Sequence, residues 1–185
     1  MGLDAVVTWE LCKSCAREIY GKTAPNARYA DAVARLLFGT AAQESGLRWR
    51  RQRSCSWAGP VGGFSLWQVE YRASVLPSLV YLQRRQDVLA RATAWLWQDP
   101  HATDAWSKLD EADTLWLLRG WDRMGCLMSR LHYCRVTEPV PATLEAQAAY
   151  WKRFFNTSAG KGTVGQYVDN WWEFCEGVVR MDNAA

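Results

Sequence analysis

Asn26-Ala27-Arg28-Tyr29-Ala30-Asp31-Ala32-Val33-Ala34-Arg35-Leu36-Leu37-Phe38-Gly39-Thr40-Ala41-Ala42-Gln43-Glu44-Ser45-Gly46 decides the fold. Tyr29, Val33, Leu36, Leu37 and Ala41 recur at spacings of three and four, which makes one apolar stripe on a helix. Gly46 suits the left-handed position that follows a helix end, so the helix is expected to start near Asn26 and to carry Glu44 in its last turn.

Outward from this segment the helical period persists. Trp9, Cys12, Ala16 and Ile19 predict a helix over Thr8 to Tyr20, stopped by Gly21 and Pro25. Between Leu47 and Tyr71 the pattern fails: Gly59, Pro60, Gly62 and Gly63 cluster, and Phe64 to Val69 reads as a short strand or hairpin arm. Helices resume from Ser74, with Pro77 tolerable in a first turn, through Leu79, Leu82, Leu89 and Leu96 to Asp99 and Pro100. Another is expected over Glu111 to Tyr133. After a turn at Glu138 to Pro141 come helices over Leu144 to Phe155 and Val164 to Gly177, the latter announced by Thr163 and Gln166 in a capping-box pattern. These pieces predict a mainly α single domain over residues 1–185. Residues 1–25 form an N-terminal helix and turn, 26–135 the core and 136–185 the C-terminal helices, with a small irregular or β insert after the second helix.

Composition narrows the function. The 185 residues are 49% apolar and 22% charged, enough for a buried core, and no uncharged apolar run reaches the roughly 18 residues a membrane helix needs. Met1 to Thr8 carries Asp4 and no basic n-region, so neither a membrane span nor a signal peptide is expected. A net charge of +3 is too small for a dedicated nucleic-acid binder. The compositional excess is aromatic, 12 Trp in all, a residue that offers a flat apolar face and a polar edge.

The chemistry points to Glu44. Between Val33 and Gln86 the only carboxylates are Glu44 and Glu70, amid Arg35, Arg48, Arg50, Arg51, Arg53, Arg72, Arg84 and Arg85. A carboxylate in the last turn of a helix meets the negative end of the helix dipole, which disfavours its charged form. Partial burial by the apolar stripe would raise its proton affinity further, giving a carboxylic acid near neutral pH, as glycosidic cleavage requires. The arginines oppose that rise unless they point outward.

Ala41-Ala42-Gln43-Glu44-Ser45-Gly46, followed by Gly63-Phe64-Ser65-Leu66-Trp67-Gln68-Val69, resembles the two leading motifs of the lysozyme-like soluble lytic transglycosylases. In that family a Glu-Ser pair ends one helix and a Gly-Leu-Met-Gln-Ile type segment lines the sugar cleft. The later stretches Met128-Ser129-Arg130-Leu131-His132-Tyr133, Ala149-Tyr150-Trp151-Lys152-Arg153 and Gly160-Lys161-Gly162-Thr163 are similar to lysozyme-like proteins of tailed bacteriophages. The resemblance implies a lysozyme-like domain with residues 26–135 as its catalytic core. Glu44 would be the single general acid/base and Ser45 the hydroxyl beside it. Ser65, Trp67 and Gln68 would line the substrate cleft, with Tyr133 facing the acid.

The implied activity is cleavage of the bond between N-acetylmuramic acid and N-acetylglucosamine in peptidoglycan, with a 1,6-anhydro product and no metal or organic cofactor. The implied partners are peptidoglycan glycan strands and other phage virion proteins. The implied location is a phage virion, or the host cytoplasm when made, with action at the bacterial wall. Trp49, Trp57 and Trp67 suit a pyranose-stacking surface or, equally, a core. The arginines from Arg48 to Arg53 suit steering of stem-peptide carboxylates or a solvated loop. Ser65 replaces the family's usual glycine and Trp67 its usual methionine. The family's third block, an Ala-Tyr-Asn-Ala-Gly motif, has no closer counterpart than Leu118-Arg119-Gly120-Trp121, which lacks the asparagine and tyrosine. These departures motivate the alternative of a catalytically inactive structural or assembly protein of a phage particle, its cleft filled by tryptophan. Hydrolysis would need a second acid, for which Glu70 is the nearby candidate.

Cys12-Lys13-Ser14-Cys15 is a lone C-x-x-C on the first helix, read as packing rather than as half a zinc site or a redox pair. Cys12, Cys15, Cys55, Cys126, Cys134 and Cys175 are read as mostly reduced thiols, and a thiol-dependent binding module is the third functional alternative.

Overall fold

The computed structural model describes residues 3–20, 25–50, 62–158 and 160–184. The expectations for Gly21, Arg51, Arg53, Cys55, Trp57, Gly59 and Pro60 fall outside the described residues.

The chain is mainly helical. Helix α1 spans Leu3–Glu18 and starts a full turn before the expected Thr8. Helix α2, Ala27–Ser45, begins where the Asn26 side chain accepts from the amide of Tyr29, at 2.8 Å. It ends at Gly46, whose φ of 58° is left-handed and whose amide returns to the carbonyl of Ala42. Ala32, Val33, Ala34 and the whole run Leu36 to Ala42 are buried, so α2 is enclosed on every side rather than along one stripe. Around it pack α1, helix α7 (Asp122–Cys134), helix α8 (Leu144–Trp151), helix α9 (Val164–Asn170) and the π turn Trp171–Cys175.

The expected helix from Ser74 to Asp99 begins as a π turn at Tyr71–Val75 and divides at Arg85 into α3 (Leu76–Arg84) and α4 (Gln86–Trp97). Pro77 occupies the first turn of α3, where its missing amide leaves no partner stranded. A short 3-10 turn, Ala102–Asp104, leads into α5 (Ala105–Lys108). The Glu111 to Tyr133 segment likewise breaks at the extended Trp121, which separates α6 (Glu111–Gly120) from α7. Thr163 and Gln166 form the expected capping box at the start of α9. Helix α10, Glu176–Asn183, closes the order, and its Asp182 accepts from the Trp9 indole and the Lys13 ammonium of α1, tying the two ends of the chain together.

The strand expected over Phe64 to Val69 is instead a tight turn closed by one antiparallel bridge, the amide of each residue donating to the carbonyl of the other at 3.0 and 2.9 Å. Ser65 (φ 66°) and Gln68 (φ 48°) both lie in the left-handed region, so extended pairing cannot continue. One apolar cluster runs from Ala5 to Val179 and contains Trp9, Phe38, Trp67, Trp151 and Trp171. Cys12 and Cys15 are fully buried in it beside Cys126 of α7, and burial pushes all three thiols up. No helix among the described residues is long and apolar enough to cross a membrane.

Candidate active site

A cleft of about 1050 Å³ opens at the C-terminal end of α2. Its floor is Gln43, Glu44, Ser45 and Gly46. One wall comes from Trp49, Gln68, Glu70 and the π turn that carries Ser74, and the other from His132, Asn170 and the chain after α8. That second wall begins with a π turn at Lys152–Asn156, where the helix widens and turns Phe155 and Asn156 to the cleft. The Lys152 ammonium holds the rim by donating to Asn156 Oδ1 and the carbonyl of Gly160, at 2.7 and 2.9 Å.

Glu44 is partly buried, and its Oε1 accepts from the indole Nε1 of Trp151 at 3.0 Å. Trp151 is itself fully buried and leans on Tyr167 of α9, with ring centroids 5.4 Å apart. Gly162 makes this possible, because a Cβ there would run into the Trp151 ring. Burial is the main cause that raises the Glu44 carboxyl from 4.5 to about 7; the charge of Glu70 adds to the rise, and the Trp151 hydrogen bond opposes it. Arg50 points away into a bidentate pair with Asp122, at 2.9 and 2.7 Å, and Arg35 lies over the Trp171 ring. The acid therefore holds its proton in about half of the molecules at neutral pH, despite the arginine-rich sequence around it.

His132 donates from Nε2 to the carbonyl of Phe154 at 2.7 Å, since a carbonyl only accepts. Nδ1 is then the acceptor that the Ser74 hydroxyl approaches, at 3.3 Å. Burial pushes this imidazole down, which favours the neutral ring. Gln68 spends its amide hydrogens on the carbonyls of Trp49 and Ser65, both at 2.8 Å, and its Oε1 is buried with no partner among the described residues.

The structure brings Glu44, Ser45 and Gln68 into one cleft, together with Trp49 and Glu70. The Ser45 hydroxyl is turned back on its own helix and donates to the carbonyl of Ala41 at 2.8 Å. Ser65, Trp67 and Tyr133 do not line the cleft, which corrects that expectation for all three, although the charge of Glu44 reaches the Tyr133 hydroxyl. Ser65 is buried against Gly125 of α7. Trp67 is buried beneath α2 and donates its indole hydrogen to the carbonyl of Leu37 at 2.8 Å, because a large aromatic with a polar edge is best satisfied inside the core. Tyr133 bonds Thr40 at 2.8 Å; its neighbour on α7, His132, faces the cleft instead.

Sequence reasoning missed His132, Ser74, Lys161 and Asn170 as cleft residues, and Trp151 as the buried partner of Glu44. The surplus of tryptophan and the stretch Ala149 to Arg153 pointed to Trp151 without a role, because its partner lies 107 positions away in the chain. In chemical terms the cleft offers a proton donor of near-neutral strength, a second carboxylate at its wall, a neutral imidazole and hydrogen-bonding amides beside aromatic surface. No known protein family, curated protein or solved structure matches the chain.

Proposed function

We propose that this protein is a peptidoglycan-cleaving enzyme with a lysozyme-like fold, a lytic transglycosylase that a bacteriophage uses to penetrate or lyse the wall. The observation that carries the proposal is the Glu44 carboxyl, raised to about 7 at the floor of an open cleft. Its aromatic wall at Trp49 and amide groups at Gln68 and Asn170 suit sugar faces and hydroxyls. Glycan strands are the substrate, other virion proteins are the partners during delivery, and no cofactor enters the chemistry.

In the reaction Glu44 gives its proton to the glycosidic oxygen as the bond from that oxygen to the muramyl C1 breaks. The N-acetylglucosamine unit leaves as an alcohol, and positive charge develops at C1. The muramyl C6 hydroxyl then attacks C1 and returns its proton to the Glu44 carboxylate, restoring the acid and closing a 1,6-anhydro ring. No water is consumed. A near-neutral pKa serves both halves, because the group must give and take the same proton at the same pH.

Glu70 supports a second reading. It lines the same cleft and its charge reaches Glu44, so it is placed to serve a hydrolytic route as the base for an attacking water. The alternative of an inactive virion component rests on Ser65, Trp67 and the missing third motif; of these, Trp67 lies in the core and does not fill the cleft. The test is digestion of purified sacculi by the wild type and by Glu44→Gln. Cleavage by the wild type and a loss of at least about 10³-fold in the variant support the proposal. Equal digestion by both removes Glu44 from the chemistry.

A further inference from the structure

A second pocket of about 250 Å³ lies on the other side of α7 from His132, between the end of α1, α3 and α8. Its walls include five tyrosines, Tyr20, Tyr29, Tyr81, Tyr133 and Tyr150, and at its base is Arg130. Arg130 is only 4% exposed. Its Nε donates to the carbonyl of Ile19 at 2.9 Å, just past the end of α1, where the helix dipole favours a cation. That bond engages one N–H of the guanidinium, and no described carboxylate pairs with the rest.

The other charges at this pocket are already matched. Arg85 pairs with Asp87 at 2.8 Å, and Glu138 is held by Arg153 at 2.9 Å. A buried arginine whose fork lacks a counter-ion is an unfavourable arrangement unless something fills it. The Tyr81 hydroxyl accepts from Arg85 at 3.3 Å, which leaves its own hydrogen to give. The Tyr150 hydroxyl is spent on the carbonyl of Glu138, and that of Tyr133 on Thr40, so these two rings present apolar surface.

We infer that this pocket is a binding site for a small organic carboxylate, its charged end held by the planar fork of Arg130 and the Tyr81 hydroxyl and its body packed between tyrosine rings. A planar fork matches a planar carboxylate by two parallel hydrogen bonds, and the aromatic walls match a carbon skeleton better than a bare inorganic ion. The site shares no residue with the Glu44 cleft and does not depend on the function proposed for it.

The test is calorimetric titration of the full chain with benzoate and, separately, with inorganic phosphate. Benzoate should bind the wild type and Glu44→Gln alike, and Arg130→Lys, which keeps the charge but loses the fork, should weaken it at least about tenfold. The Arg130 side-chain nitrogen resonance should move on benzoate addition, and Tyr81→Phe should weaken binding about threefold. Those two measurements decide the matter if Arg130→Lys does not fold. Absence of benzoate binding, undiminished binding in Arg130→Lys, an unmoved Arg130 resonance, or phosphate binding tighter than benzoate would each overturn the inference.

Discussion

The indole nitrogen of Trp151 and the carboxylate oxygen Oε1 of Glu44 are 3.0 Å apart, a hydrogen bond between a fully buried donor and the acid at the floor of the cleft. The bond favours the ionised form, and burial, with the help of Glu70, outweighs it. The proton affinity of Glu44 is thus set by two opposed effects that can be separated by mutation.

Replacing Trp151 with Phe removes the donor and keeps most of the ring. The Glu44 carboxyl should then titrate higher than about 7, and the alkaline fall in activity should move up in pH with it. The smaller ring leaves a void in the core and should lower stability by about 1–3 kcal/mol. Carboxyl-carbon NMR across a pH series checks the first effect, and urea unfolding the second.

Glu44→Gln should stabilise the fold in one pH window. A carboxyl raised from 4.5 to about 7 contributes stability that is fully present below 4.5 and lost as pH rises through about 7, because ionisation is disfavoured only in the folded state. Glutamine keeps an acceptor for Trp151 and carries no charge. The variant should match the wild type at pH 4 and exceed it at pH 8 by about 1–2 kcal/mol, after allowance for solvent in the open cleft. Thermal unfolding at the two pH values measures this.

Two left-handed positions near the cleft should respond in opposite directions. Gly46→Ala places a Cβ at φ 58° and should cost about 1 kcal/mol by straining the end of α2. Ser65→Gly removes a Cβ from φ 66° but also the hydroxyl that accepts from the Trp67 amide at 3.3 Å, so it should be neutral or stabilise by at most about 0.5 kcal/mol. Chemical denaturation of both variants shows the sign.

Trp49 and Trp67, both downstream of the acid, should separate cleanly. Trp67→Ala should cost about 3–5 kcal/mol, since it empties a fully buried site and strands the carbonyl contact at Leu37. Trp49 is half exposed at the cleft wall, so Trp49→Ala should leave stability within about 0.5 kcal/mol and raise KM for glycan strands. Unfolding and steady-state kinetics on the same preparations tell them apart.

The helical period of residues 26 to 46 made α2 legible, and with it the position of Glu44 in a last turn. Local signals of this kind, such as the Thr163 capping box, depend only on neighbours in the chain. What the sequence could not reveal was direction. Trp49 and Trp67 are chemically alike in the chain, yet one faces the cleft and the other finds a carbonyl under α2. The arginines next to Glu44 looked able to hold it ionised; Arg50 turns to Asp122, a partner 72 positions away. His132 joins the cleft, and Trp151 reaches Glu44 from behind it, only when α7 and α8 pack beside α2, a long-range event that spacing does not encode.

The most direct measurement is the mass of the fragments released from purified sacculi by the wild-type protein at pH 6, where Glu44 holds its proton. The proposal calls for muropeptides that end in 1,6-anhydro sugar, one water lighter than their reducing counterparts, absent when Glu44→Gln replaces the wild type. Reducing ends throughout would contradict the transglycosylase chemistry, and no soluble fragments from folded protein would contradict the enzyme itself.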